Sequence, residues 1–168
     1  TAMVDNNILS DAVSAQFGSN IISIEESYGM LDFIVEKDMI VALLKWLKEH
    51  ETFEFNFLTT LCGVHFPEKK NHELSVVYHL YSMTNNIRIR IHVFLPITKP
   101  EIQTVTHLYP TANWMERETF EFFGIKFIGH PNLKIILNVE DMDYHPLLKQ
   151  YALVDNTRTD KDDKYFGR

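Results

Sequence analysis

Apolar positions recur with two different periods along the first hundred residues, and each change of period marks a new element. Over 6–17, Ile8, Leu9, Ala12, Val13 and Phe17 share one helical face. Asn and Asp precede them and Gly18 follows, which predicts a short amphipathic helix with a glycine stop. Segments 21–26 and 31–35 flank Ser27, Tyr28 and Gly29 and predict a hairpin. A second helix is predicted over 38–49, burying Met39, Ile40, Leu43 and Leu47. Three alternating strands follow. The first carries Phe53, Phe55, Phe57, Thr59 and Leu61, and the second Leu74, Val76, Tyr78 and Leu80. The third sets Ile87, Ile89, Ile91, Val93 and Leu95 on one face against Arg88, Arg90 and His92 on the other. Turns are expected at 67–72 and 84–86, where asparagines tolerate the left-handed backbone of tight hairpins. The order predicts an α+β fold, with helices packed on one mainly antiparallel sheet.

From Pro96 the pattern changes. Pro96, Pro100, Pro110, Pro131 and Pro146 interrupt the remainder, leaving one clear helix at about 114–123. Residues 125–168 show no sustained period, as expected of a tail that lies on something else. The chain therefore divides into an α+β domain over 1–124, including that helix, and an extended C-terminal arm over 125–168. The polar end, 155–168, is expected to be flexible when alone.

Composition narrows the function classes. With 168 residues, 45% of them hydrophobic, the chain can bury one ordinary core. A net charge of -7 argues against non-specific binding to nucleic acid phosphates. The single cysteine, Cys62, permits no internal disulfide and neither a four-cysteine iron–sulfur cluster nor a Cys₄ zinc site. Its expected role is that of a small buried residue in a strand. The longest apolar run, 39–44, is far too short to cross a bilayer, so a soluble protein is expected whose membrane role comes through a partner.

The densest chemistry lies in the helix over 114–123. Asn113 suits an N-cap, Glu116 is spaced to reach back to the free amides, and Gly124 suits a left-handed stop. Met115, Phe120, Phe122 and Phe123 form an apolar sector. Arg117, Glu118 and Glu121 gather opposite, with Trp114 among them as a candidate interface anchor. Arg117 and Glu121 have the spacing of an i,i+4 ion pair. Carboxylates at 116, 118 and 121 admit an acid–base reading, and His130 and His145 a metal reading. No nucleophile, phosphate loop or paired-histidine helix accompanies them. The plainer reading gives the carboxylates cap and salt-bridge roles, and lets each His-Pro fix a turn while its imidazole bonds a carbonyl. Arg88, Arg90 and His92 suit a solvated face, or one paired with acidic groups of a neighbour.

Glu116-Arg117-Glu118, two residues, Glu121-Phe122-Phe123, six residues, His130, three residues and Lys134-Ile135-Ile136 resemble the signature of the C subunit of proton-pumping NADH:quinone oxidoreductase, respiratory complex I. The flanks, Tyr109-Pro110-Thr111-Ala112-Asn113-Trp114 and Gly129-His130-Pro131, are similar to the family as well. The family's second His-Pro element departs here, at Tyr144, Leu148, Gln150 and Ala152 around His145-Pro146. The resemblance implies a structural subunit with no redox centre of its own, at the cytoplasmic face of the inner membrane. Its implied partners are the quinone-site D subunit and the iron–sulfur B and I subunits, with iron–sulfur clusters, FMN, NADH and quinone bound in partner subunits. Trp114, Glu116, Arg117, Glu118, Glu121, Gly124, His130, Pro131, Lys134, His145 and Pro146 are its motif and interface candidates. A related membrane-bound hydrogenase, or an F420H2- or ferredoxin-linked dehydrogenase, is the alternative assembly. A free-standing hydrolase or metal enzyme using Glu116, Glu118 and His130 is the alternative of another class.

Overall fold

The computed structural model describes residues 4–152; the expected flexible end, 155–168, lies outside them. The first helix, α1, is Asn6–Phe17, and a hairpin of β1 (Ile21–Ser27) and β2 (Met30–Val35) follows. Tyr28 and Gly29 at its tip both have positive φ, 54° and 76°, the geometry of a tight hairpin turn. Helix α2, Ile40–Glu49, precedes the meander β3 (Phe57–His65), β4 (Leu74–Ser82) and β5 (Ile87–Leu95). These strands form one sheet in the order β1-β2-β5-β4-β3, antiparallel except where β2 lies parallel to β5. The fold is the expected α+β layer.

The core lies on one face of this sheet. Leu9 and Val13 of α1 and Ile40, Leu43, Leu44 and Leu47 of α2 join Phe33, Leu80, Ile89, Ile91, Val93 and Leu95 in one buried cluster. Strand alternation sets this division: a slip of one residue in β5 would bring Arg88 and Arg90 into it. On the other face Arg88 is exposed and lies over the Tyr81 ring. Arg90 donates Nε and Nη2 to one oxygen of Asp32, at 3.0 and 2.6 Å, and His92 lies 3.4 Å from the other. The acidic partner of this stripe thus comes from β2 of the same chain.

Two local expectations are corrected. The first strand of the meander begins at Phe57. Phe53 and Phe55 are buried in the preceding turn, where the Phe53 and Glu54 amides donate to the His50 carbonyl and the Phe55 amide to that of Leu47. A bulge between Leu58 and Thr60 then resets the parity. Leu58 and Leu61 face inward, while Phe57 and Thr59 are exposed. Cys62, expected to be buried, is exposed: it alternates with the inward Leu61 on an edge strand. Its thiol pKa is pushed up, first by partial burial and second by the Glu118 carboxylate.

Beyond Leu95 the chain forms β6 (Glu101–Gln103), α3 (Ala112–Phe123) and β7 (Lys126–Ile128), with β6 and β7 paired in parallel. The stretch read as arm therefore opens with a strand that its weak period did not reveal. Helix α3 packs on edge strand β3. A Cβ on Gly63 would stand 2.5 Å from the Phe123 ring, so the helix approaches only because that position has no side chain. The Leu61 amide, on the open edge of the sheet, donates to the Met115 sulfur at 3.2 Å, so α3 also covers this edge.

Candidate functional site

Helix α3 is enclosed on two sides, and a carboxylate serves each. At 3.6 residues per turn, positions 116 and 121 lie about 140° apart around the axis. Glu116 is fully buried, whereas the sequence suggested a capping role. The helix starts earlier than expected, at Ala112 behind Thr111, so Glu116 faces inward from the first turns. Its Oε1 accepts from the Val105 amide at 2.8 Å and its Oε2 from the Thr104 hydroxyl at 2.5 Å. Burial raises its pKa to about 7, against the opposing pull of these two hydrogen bonds. Tyr78, whose buried hydroxyl has no hydrogen-bond partner among the described residues, has its own pKa raised by burial and then by Glu116.

His130 closes this side. Its Nε2 lies 4.0 Å from Glu116 Oε2 but 3.1 Å from the Asn113 carbonyl, and its Nδ1 accepts from the Asn132 amide at 3.0 Å. That pattern assigns the proton to Nε2, donated to Asn113, and makes the ring a staple between the start of α3 and the turn at Pro131.

Glu121 and Arg117 act on the arm. Both were expected on a polar face as a mutual ion pair; instead their heads diverge, and Glu121 is buried. Its carboxylate accepts from the Ile136 amide at 2.6 Å and from the Leu137 amide at 3.1 Å. Arg117 donates to the Lys134 carbonyl at 3.0 Å and, more weakly, to that of Ile135 at 3.5 Å. The two side chains thus satisfy donors and acceptors of an irregular segment that, among the described residues, pairs with no strand. Arg117 also lies 5.0 Å from the centroid of the exposed Trp114 ring. Arg117, an interface candidate in the sequence, thus makes these bonds within the chain. Lys134 itself contributes its carbonyl, and its side chain is exposed.

The second His-Pro completes the clasp. His145 Nδ1 donates to the Glu121 carbonyl at 2.9 Å, the Leu147 amide donates to the Phe122 carbonyl at 3.2 Å, and the Lys149 amide to His65 Nδ1 at 2.9 Å. Gly124, with φ 78°, ends α3 and lets the His145 ring approach where a Cβ would meet it at 2.7 Å. Pro146 fixes the chain between these contacts, and Leu148 is buried despite the changed sequence around it. Glu118 alone among the motif acids is exposed, pointing away from Glu116. Thr104, Val105 and His65 belong to the site and were not foreseen. Among the described residues no group of histidine, cysteine or carboxylate side chains is arranged to hold a metal, and no helix is long and apolar enough to cross a membrane.

The motif therefore builds a clasp on backbone groups of the chain itself, and it lies within a known family pattern. The family model of the respiratory-chain NADH dehydrogenase 30 Kd subunit matches residues 33–157. The chain belongs to this family. The C subunit of NADH-quinone oxidoreductase from Herpetosiphon aurantiacus is 40% identical over 151 residues, covering 90% of this chain and 86% of its own length. A trypsin-resistant fragment of Nqo5 superposes with a TM-score of 0.63 at 28% identity, over 74% of this chain and 98% of the fragment. The fold recurs, at 21% identity and a TM-score of 0.76, in a chain of the membrane-bound sulfane sulfur reductase, an archaeal respiratory membrane complex. That match spans 93% of this chain and 95% of the other.

Proposed function

We propose that this chain is a structural subunit of the hydrophilic, quinone-module arm of a proton-translocating NADH:quinone oxidoreductase. It holds the quinone-site D subunit and its iron–sulfur neighbours, the B and I subunits, in register and contributes no active site of its own. Iron–sulfur clusters, FMN, NADH and quinone bind in the partner subunits, and the chain meets the membrane only through them, at its cytoplasmic face. The observation that supports this best is the use of the motif. Glu121, Arg117, His130 and His145 are all engaged with backbone groups of the chain itself, so the most distinctive residues shape a surface. Family membership supplies the kind of assembly. A tagged copy recovered from native membranes is expected to bring the D, B and I subunits in equal amounts. Recovery without them, with the untagged complex intact, overturns the proposal. The fold shared with the sulfane sulfur reductase chain favours one second reading, an equivalent place in a related membrane-bound hydrogenase-type complex, in which case the recovered partners are the subunits of that complex.

A further inference from the structure

The clasp fixes one face of the arm and leaves its other face covered by no described residue. Exposed large apolar side chains elsewhere, such as Ile8, Ile22, Tyr28 and Met83, stand singly on α1, β1 and two turns, an ordinary feature of any surface. Around the arm they are consecutive or tied together. Leu137 and Val139 are 66% and 62% exposed, Ile136 37%, and Trp114 60%. Arg117 joins Trp114 to this row, since the guanidinium that underlies the indole also bonds the Lys134 and Ile135 carbonyls. Glu121 fixes the direction of Ile136 and Leu137 by holding both amides. An exposed ridge held in one geometry loses little freedom on binding, which favours its use as an anchor.

Charge continues the ridge. Glu140, Asp141 and Asp143 follow it directly and are exposed, and Glu118 is exposed on α3. Among the described residues none of these four forms an ion pair. Lys134, earlier in the same segment, is exposed as well. Apolar anchors bordered by acids fit a partner surface of the opposite character. We infer that the ridge of Trp114, Ile136, Leu137 and Val139, with the acidic turn at 140–143, docks into an apolar cleft bordered by lysines or arginines on another subunit of the same complex. This rests on the structural-subunit reading above and adds which surface carries the contact and what chemistry meets it.

The test replaces the native copy with variants and measures how much of the chain remains in complex purified from membranes through a tag on another subunit. Leu137→Asp with Val139→Asp is expected to lower occupancy about ten-fold or more, as for a central anchor. Glu140→Lys with Asp141→Lys and Asp143→Lys is expected to lower it several-fold and to remove the salt sensitivity of retention. Arg88→Glu, on the exposed outer sheet face, is the control and leaves occupancy unchanged. Because all three sites are exposed, thermal melting of each purified chain is expected to match wild type. If the aspartate pair melts early, Leu137→Ser with Val139→Ser replaces it. Full occupancy by folded ridge variants, with the wild-type chain present in the complex, overturns this inference and leaves the structural-subunit reading standing. Absence of the wild-type chain from the complex overturns both.

Discussion

In β5, Ile89, Ile91, Val93 and Leu95 are fully buried, and every strand neighbour shares the load through hydrogen-bonded ladders. Along 134–149, by contrast, one large apolar side chain, Leu148, is buried, and attachment comes from side chains that grip backbone groups. The sheet is held by area removed from water, a force that tolerates exchange among apolar residues of similar size. The arm is held by a few directional bonds whose donors and acceptors have no substitutes. Hence the sheet is robust in identity and the arm in path, and the most distinctive residues of the chain cluster where path matters.

The sharpest break of the comparison is a core truncation. Ile91→Ala is expected to cost about 3 kcal/mol and to lower protection from hydrogen exchange in sheet and arm together. Loss confined to β5 would show that the layers do not unfold as one. Nearly as large is the effect of pH through Glu116. An acid whose pKa rises on folding contributes fully below its unfolded value and loses that contribution as pH climbs to the folded one. Moving from an ordinary 4.5 to about 7 corresponds to roughly 3 kcal/mol. Urea unfolding is therefore expected to show stability falling across that window, and Glu116→Gln to flatten the fall. An unchanged slope in the variant would assign the dependence to other groups.

Glu121→Ala leaves the Ile136 and Leu137 amides without acceptors, at a cost of about 2 kcal/mol felt in the arm. Faster exchange at those amides with β4 and β5 unaltered is the expected pattern. Equal loosening of the strands would erase the distinction between the two regions. Arg117→Ala has the smallest expected effect, about 1 kcal/mol, since one of its two bonds is long. It is read by Trp114 fluorescence, which is expected to shift as the guanidinium leaves the ring. Lysine in its place supplies charge without a planar fork and restores little.

The core-facing rows of β4 and β5 were legible because alternating apolar residues write their period into the sequence. Leu74, Val76, Tyr78 and Leu80 are fully buried as alternation required. The bulge at Leu58 was not legible, since an extra residue leaves apolar content unchanged while shifting every later side chain. Helix α3 was found, but its burial was misjudged for a specific reason. Amphipathic reasoning assumes one buried stripe, whereas this helix has two, each lined by a glutamate with backbone partners distant in the chain. Charge read as exposure placed Glu121 outside and paired it with Arg117, and only the path of the arm corrects both. The two His-Pro pairs were readable as turns, because proline limits the local backbone whatever surrounds it.

The parallel contact between β2 and β5 bears on how the chain is made. Asp32 meets Arg90 across a separation of 58 residues, while β3 and β4 each pair with the next strand along the chain. Local meanders close quickly and distant pairings late, because loop closure costs entropy before any contact rewards it. During synthesis the hairpin of β1 and β2, with Leu31 and Phe33 on its apolar side, emerges well before the strand it must join. It waits through the production of α2, β3 and β4 with the β2 edge unpaired, so the interval before β5 emerges is when that edge is open to wrong partners.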